Sequence, residues 1–120
     1  MKRIPLAKRY IRLRHNTLSM LRECSANCGR GWSVARIIEA SLVLGLKEEL
    51  EGPHRWHHSK LTGFHFGIRP SVAADLKAAV ARLNAGLGPD QPRWTQGHVV
   101  EACFFAQYNA IRKLASDTRT

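Results

Sequence analysis

Two short stretches of the chain, residues 8–14 and 63–69, place basic, aromatic and imidazole side chains on alternate residues. Alternation of apolar and polar residues is typical of a β-strand with one buried and one exposed face. The predicted inward residues are Ile11, Leu13, Phe64, Phe66 and Ile68. The predicted outward residues are Lys8, Tyr10, Arg12, Arg14, Gly63, His65, Gly67 and Arg69. Such strands cannot satisfy their own backbone, so we expect each to pair with another strand.

The charge balance favours an anionic partner. The 120 residues include 19 Lys and Arg against 9 Asp and Glu, for a net charge of +10. Residues 1–15 contain six of these cations and no acidic residue. An excess of this kind indicates nucleic acid or an acidic membrane surface as partner. The length and the 44% hydrophobic content predict one folded domain, residues 1–120.

A longer stretch also occurs twice, and it predicts the centre of the fold. Trp32 to Ser41 returns as Trp94 to Cys103, with Trp, a hydroxyl residue, two β-branched residues, Glu and Ala at matching positions. Ser33 and Thr95 are suitable helix N-caps. Because both helices continue into apolar segments, we expect them to pack against each other. The two tryptophans are predicted to be packing residues at the helix starts.

The remaining elements follow the same order in both halves. In the first unit, residues 8–51, the strand precedes a helix capped by Asn16, and a second helix runs from Ser33 to about Glu51. Residues 52–62 have no clear period and are predicted to be a linker. In the second unit, residues 63–115, Pro70 closes the strand, Ser71 caps a helix, and a final helix follows Thr95. When strand residues are matched at equal positions, Tyr10 corresponds to His65.

No residue pattern indicates an enzyme, a metal site or a cofactor. Cys24, Cys28 and Cys103 lack a second metal-ligand pair, and buried structural thiols are the favoured interpretation. The histidines of the linker are interpreted as solvated rather than zinc-binding; they are His54, His57 and His58. Without a recognisable signal peptide or membrane span, we expect a reducing, cytoplasmic location.

Two strand–helix–helix units with alternating outward residues resemble the ribbon-helix-helix family of DNA-binding proteins. The implied fold is mainly α, with a short two-stranded antiparallel β ribbon, and pseudo-dimeric (β-α-α-β-α-α) in one chain. Such a single-chain arrangement is similar to tandem accessory proteins of conjugative DNA transfer, both TraY-type relaxosome proteins and the overdrive-binding accessory protein of T-DNA transfer.

The resemblance implies a ribbon that enters the major groove, where each base pair displays a distinct set of donors and acceptors. The implied base-contacting residues are Tyr10, Arg12, Arg14, His65, Gly67 and Arg69. Since the two rows differ, we expect a non-palindromic site. Arg14 taken alone is also consistent with a solvated edge strand. Implied phosphate contacts come from the N-terminal arm and the second helices: Lys2, Arg3, Lys8, Arg9, Arg30, Ser33, Val34, Arg36, Arg93, Thr95, Gln96 and His98.

Several functions follow from these expectations. The first is a bacterial DNA-transfer accessory protein that binds double-stranded DNA near an origin or border and helps to load a relaxase. The chain would act as a monomer, with possible side-by-side association on DNA and no membrane insertion. A ribbon-helix-helix transcriptional repressor is the alternative within DNA binding. A protein–protein adaptor or antitoxin-like module with a basic face is the alternative of another class, and membrane-surface binding ranks last because residues 1–14 lack a helical period.

Overall fold

The fold was obtained as a computed structural model, which describes residues 5–53 and 60–117. Within these ranges it is mainly helical, with four helices and one two-stranded antiparallel sheet in the order β-α-α-β-α-α. The elements are β1 (Ala7–Arg14), α1 (His15–Cys28), α2 (Val34–Gly45), β2 (Leu61–Ile68), α3 (Pro70–Ala85) and α4 (Gln96–Asp117). Neither α4 nor any other helix of the described ranges is long and apolar enough to cross a membrane.

The two predicted strands form and pair with each other. β1 and β2 are antiparallel, and Tyr10 lies opposite His65. The alternation predicted from the sequence is confirmed, because the buried members of the two strands lie on one face: Ile11, Leu13, Phe66 and Ile68. Phe64, also predicted to face inward, is half-buried and packs against the core. The apolar face of the sheet is thus covered by the helices, and the other face is open.

Both strands run directly into a helix, which corrects two predicted helix starts. α1 begins at His15 with Arg14 at the N-cap position, so Asn16 is already inside the helix. α3 begins at Pro70 with Arg69 at the N-cap position, so Ser71 is not the cap. Both predictions relied on the capping preference of Asn and Ser, and with no intervening loop the last strand residue takes that position instead. Pro70 suits the first helical turn because its missing N–H would have no partner there.

The predicted starts of the other two helices are confirmed by their caps. Ser33 Oγ accepts a hydrogen bond from the Arg36 N–H at 3.1 Å, and Thr95 Oγ1 accepts one from the His98 N–H at 3.2 Å. The predicted end of α2 near Glu51 is wrong, because this helix ends at Gly45. Residues 46–48 then turn, and the Glu48 N–H donates to the Gly45 carbonyl at 3.1 Å. The turn lets Leu50 pack against the core.

The predicted helix pair forms the centre of the core. Its fully buried side chains include Ile37, Ile38 and Leu42 from α2 and Val99, Val100 and Phe104 from α4. Gly45 lies so close to α4 that a Cβ atom added to it would be 2.7 Å from the Cys103 Cβ. Close approach of the two helices therefore depends on the missing side chain at this position.

Both tryptophans are packing residues, as predicted. Trp32 and Trp94 are each only 4% exposed. A polar side chain near the end of the preceding helix fixes each of them: Ser25 Oγ donates to the Trp32 carbonyl at 2.5 Å, and Asn84 Nδ2 donates to the Trp94 carbonyl at 2.9 Å. The entry into α2 and α4 is therefore defined by buried contacts.

The three cysteines are buried and form no disulfide with one another, and the Cys24 and Cys28 thiols share a hydrogen bond at 3.8 Å. Burial and, to a lesser extent, the neighbouring Glu48 raise the pKa of Cys103 to about 12. Burial, followed by the hydrogen bond and charge of Cys28, raises the pKa of Cys24 to about 11, against a lowering influence of Arg112. At neutral pH both thiols are protonated and act as small packing groups.

Candidate nucleic-acid interface

Four cross-strand pairs lie on the open face of the sheet, and the last of them, at one end, is Arg14 opposite Leu61. The other three pairs form its exposed part. Tyr10 opposes His65 at the centre, Lys8 opposes Gly67 on one side, and Arg12 opposes Gly63 on the other. The four side chains of these three pairs are all exposed, and Tyr10 is 57% exposed. No acidic residue lies among these six positions, so the face is cationic and rich in hydrogen-bond donors.

The central pair is an aromatic contact supported by a glycine. The ring centroids of Tyr10 and His65 are 4.6 Å apart, with a tilt of 44° between the rings. The Tyr10 ring also crosses Gly63, where an added Cβ would lie 2.6 Å from two of its ring carbons. Any other residue at this position would displace Tyr10. The absence of a side chain at Gly63 thus leaves the space that the phenol ring occupies.

The guanidinium of Arg14, predicted to contact bases, is paired with a carboxylate in this structure. Its Nε donates to Glu101 Oε2 at 3.1 Å, and its Nη2 forms a closer contact with Oε1. The Thr17 hydroxyl donates to the same carboxylate at 2.8 Å. The Glu101 side chain is only 5% exposed. Because a buried carboxylate is costly without a cation and hydrogen bonds, Arg14 is held by this partner.

Arg69, at the corresponding end of β2, is likewise held by a carboxylate. Its backbone N–H donates to Glu39 Oε2 at 3.1 Å, and its Nε forms a short ion pair with Oε1. This pair is much more open, with side-chain exposures of 60% for Arg69 and 20% for Glu39. Each pair joins the strand of one unit to the second helix of the other. The two predicted base-contacting arginines thus act as cross-links in this structure.

Glu39 and Glu101 are the residues of this region that the sequence analysis did not single out. Both occupy the same position of the repeated stretch, directly after a pair of buried β-branched residues. A charged residue next to fully buried side chains needs a partner, so the sequence already indicated that each of these glutamates would be paired. The partner itself follows only from the fold, since Arg14 is 87 positions away from Glu101.

The N-terminus of α2 carries a positioned cation. The Arg36 guanidinium lies 4.1 Å from the centroid of the Trp32 ring and donates from Nη1 to the Gly31 carbonyl at 2.9 Å. At the N-terminus of α4, the corresponding residue is His98, whose Nδ1 lies 2.7 Å from Thr95 Oγ1. Helix N-termini favour anions through their free N–H groups and dipole. Either end is therefore suited to a phosphate.

Both helix starts border the strands. Thr95, Gln96 and His98 line a depression of about 500 Å³ together with Lys8 and Arg12 of β1. On the other side, Ser33 and Arg36 line a depression of about 550 Å³ together with Gly67 and Arg69. Val34 and Gln96 are the first residues of the two helices. On each side of the ribbon, predicted base-contacting residues therefore lie beside predicted phosphate-contacting residues of a helix start.

The other predicted phosphate-contacting residues are more scattered. Arg9 is half-buried among the inward residues, and its Nε has no partner among the described residues. Arg30 is exposed next to Gly31, and Arg93 donates to the Asn84 carbonyl at 3.4 Å. Lys2 and Arg3 lie outside the described residues, as do the three linker histidines His54, His57 and His58. Over residues 5–53 and 60–117, no cluster of three or more His, Cys, Asp or Glu is placed to hold a metal ion.

Comparison of the chain with protein-family models, with curated proteins and with solved structures gave no match. The DNA binding proposed below therefore rests on the geometry of the chain's own residues.

Proposed function

We propose that this chain is a single-chain, pseudo-dimeric ribbon-helix-helix protein that binds double-stranded DNA in a sequence-specific manner. The β1–β2 ribbon would lie in the major groove, which admits a two-stranded ribbon and displays a distinct pattern for each base pair. The observation that carries the proposal is the open face of the sheet. It presents Lys8, Tyr10, Arg12 and His65 without any carboxylate, between two helix N-termini suited to phosphates.

The roles that we propose for the basic residues of the ribbon differ from those expected from the sequence. Arg12 and Lys8 are the cations that remain free to contact base edges, and Tyr10 and His65 contact the centre of the site. Arg14 and Arg69 support the ribbon through Glu101 and Glu39. β2 contributes Gly63 and Gly67 opposite the two cations, so one strand supplies most of the donors. Such a one-sided face matches a non-palindromic DNA site.

The biological role that we infer is that of an accessory protein of conjugative or T-DNA-like transfer, with a relaxase as a further partner. This part of the proposal rests on the resemblance of the tandem units to such accessory proteins. Chromatin immunoprecipitation in the source cell is the measurement that distinguishes it from repression. Transfer predicts sites beside an origin or a border sequence, whereas sites over promoters would contradict the transfer role.

Selection from a random-sequence duplex pool tests DNA binding itself. We expect the wild-type chain to enrich a non-palindromic sequence and to lose affinity steeply as salt rises, because phosphate contacts release counterions. Arg12→Ala is expected to weaken binding to that sequence by about 10- to 100-fold and to relax base preference at one position, which is the effect of losing a bidentate contact.

Arg82→Ala is the matched control, since Arg82 is an exposed arginine in the last turn of α3, outside the proposed interface. It removes the same charge and should leave base preference unchanged. DNA binding is the wrong function if no sequence is enriched and binding does not respond to salt. An adaptor with a basic face would give that result.

A second prediction follows from the open Arg69–Glu39 pair. Glu39→Gln keeps an acceptor for the Arg69 backbone N–H but removes the charge that holds the guanidinium. Arg69 lines the same depression as Ser33 and Arg36, so it becomes available to a phosphate there. We expect tighter DNA binding at low salt and a slope of log affinity against log salt that is steeper by about one.

Asp75→Asn changes the net charge equally from an exposed position on α3 and serves as the control for Glu39→Gln. The two variants would be titrated with the selected duplex over a range of salt concentrations. Equal behaviour of both variants would show that Arg69 stays away from DNA.

A further inference from the structure

Two grooves run along the second helices of the two units, and their shared positions correspond by sequence. Trp94, Glu101 and Phe105 line one groove, and Trp32, Glu39 and Val43 line the other at the same positions of the repeat. The opposite walls differ completely. The groove on α4 is closed by Glu49, Leu50, Glu51 and Pro53, and we call it the acidic groove.

The acidic groove combines an apolar floor with free negative charge. Leu50, Trp94 and Phe105 contribute apolar surface, and Phe105 is 41% exposed at its edge. Glu49 and Glu51 are exposed on the facing wall, and neither makes an ion pair or a hydrogen bond within the described part of the chain. The groove encloses about 410 Å³, which is room for side chains of a partner.

Its charge is opposite to that of the molecule as a whole. The chain has a net charge of +10, yet this groove holds two carboxylates that have no partner among the described residues. Glu101 at its base is neutralised by Arg14 and does not count among them. Acidic side chains relieve the self-repulsion of a cationic protein wherever they lie on its surface. Electrostatic complementarity to a basic partner, in contrast, requires them beside the apolar floor.

We propose that the acidic groove docks a basic segment of a second protein, in which an apolar side chain is flanked by Lys or Arg. The apolar side chain would rest on Leu50, Trp94 and Phe105, and the flanking cations would pair with Glu49 and Glu51. This partner site goes beyond DNA binding, and it does not require the ribbon to contact DNA.

The position of the groove also determines where a docked partner would lie relative to the proposed DNA interface. His98 lines both the acidic groove and the depression between α4 and β1, so a docked partner would sit beside one helix N-terminus of the proposed DNA interface. The corresponding groove on α2 offers no equivalent, because Glu39 is paired with Arg69 and the facing wall carries Leu6 and Leu114. A partner would therefore dock at one end of the molecule only.

Titration of the ¹⁵N-labelled full chain with short peptides tests this proposal in the absence of DNA. The probe is acetyl-Gly-Arg-Leu-Arg-Gly-amide, and the matched peptide with Ser in place of Leu has the same charge but no apolar side chain. We expect amide shift changes from the Leu peptide to cluster at Leu50, Ala102 and Phe105. The Ser peptide should bind more weakly at the same residues.

Glu49→Gln combined with Glu51→Gln is expected to weaken the Leu peptide by about three- to tenfold, since exposed ion pairs contribute modestly. Glu23→Gln combined with Asp75→Asn removes two exposed carboxylates elsewhere and should have no such effect. Equal weakening by both double variants, or shifts spread over the whole surface, would overturn the proposal. Concentration-dependent shifts at the groove without peptide would also overturn it, by identifying a second copy of the chain as the occupant.

Because no DNA is present, the peptide result is independent of the test of DNA binding. If the chain binds DNA but not the peptide, only the proposed partner site is contradicted. If it binds the peptide but no DNA, only the proposed function is contradicted.

Discussion

Gly45→Ala is expected to lower the free energy of unfolding by about 2–3 kcal/mol, in the range for overpacking a well-packed core. An added Cβ would lie 2.7 Å from both the Cβ and the Sγ of Cys103 and 3.1 Å from its Cα. Because part of this contact is with backbone, a change of side-chain rotamer cannot relieve it. The two central helices would have to move apart, and the packing of Phe104 and Leu42 would loosen with them.

Urea unfolding followed by far-UV circular dichroism measures this effect, and a compensating change tests its cause. Cys103→Gly removes the Cβ and the sulfur that meet residue 45, so the double variant should recover part of the loss as a favourable coupling energy. Gly86→Ala is the control: φ is −86° there, and the nearest atom to an added Cβ is a carbonyl oxygen at 3.9 Å. It should be neutral or stabilising by up to about 1 kcal/mol. Equal losses from Gly45→Ala and Gly86→Ala would contradict the close helix contact.

The features that the sequence predicted well are those with a local cause. Alternation of apolar residues depends on the geometry of a single strand, so Ile11, Leu13, Phe66 and Ile68 were correctly placed in the core. The caps at Ser33 and Thr95 also act within one turn of a helix. The repeat added one non-local result, the pairing of α2 with α4, because two strongly apolar helices have few other surfaces to cover.

The predictions that failed depend on how one element connects to the next and on contacts between distant parts of the chain. Asn16 and Ser71 are good caps by local preference, but each strand continues straight into its helix and leaves that position to Arg14 and Arg69. These same two residues lie at the ends of the ribbon. The alternation of the sequence predicts on which side of the sheet their side chains lie, but it does not predict which residues they contact. Glu101 and Glu39 reach them from the other half of the molecule, and no local pattern in the sequence encodes that contact.

The register of the ribbon is a second feature that needed the structure. Tyr10 and His65 were matched as equivalent residues of the two repeats, which does not say that they lie opposite each other. Only the position at which the strands cross decides this, and it also decides that Arg12 and Lys8 face glycines. The proposed one-sided distribution of DNA contacts depends on this register.

Arg14→Leu is expected to cost about 3 kcal/mol of folding free energy, because it leaves the carboxylate of Glu101 buried without a cation. The Thr17 hydroxyl still donates a hydrogen bond to this carboxylate. The expected loss of stability is therefore at the lower end of the range for breaking a buried ion pair. Arg69→Leu is the matched variant, since it removes the equivalent arginine of the other unit. Its pair is largely exposed, so we expect a loss of no more than about 1 kcal/mol.

Equilibrium unfolding of both variants in urea measures the difference between the two ion pairs. The combination of Arg14→Leu with Glu101→Leu should recover most of the stability, because neither a charge nor its partner is then left in the core. DNA titration at a temperature where all variants are folded then shows whether Arg14 supports the ribbon or contacts a base. If Arg14 supports the ribbon, its loss lowers stability and leaves base preference intact. A change of base preference at full stability would show instead that Arg14 leaves Glu101 for the DNA.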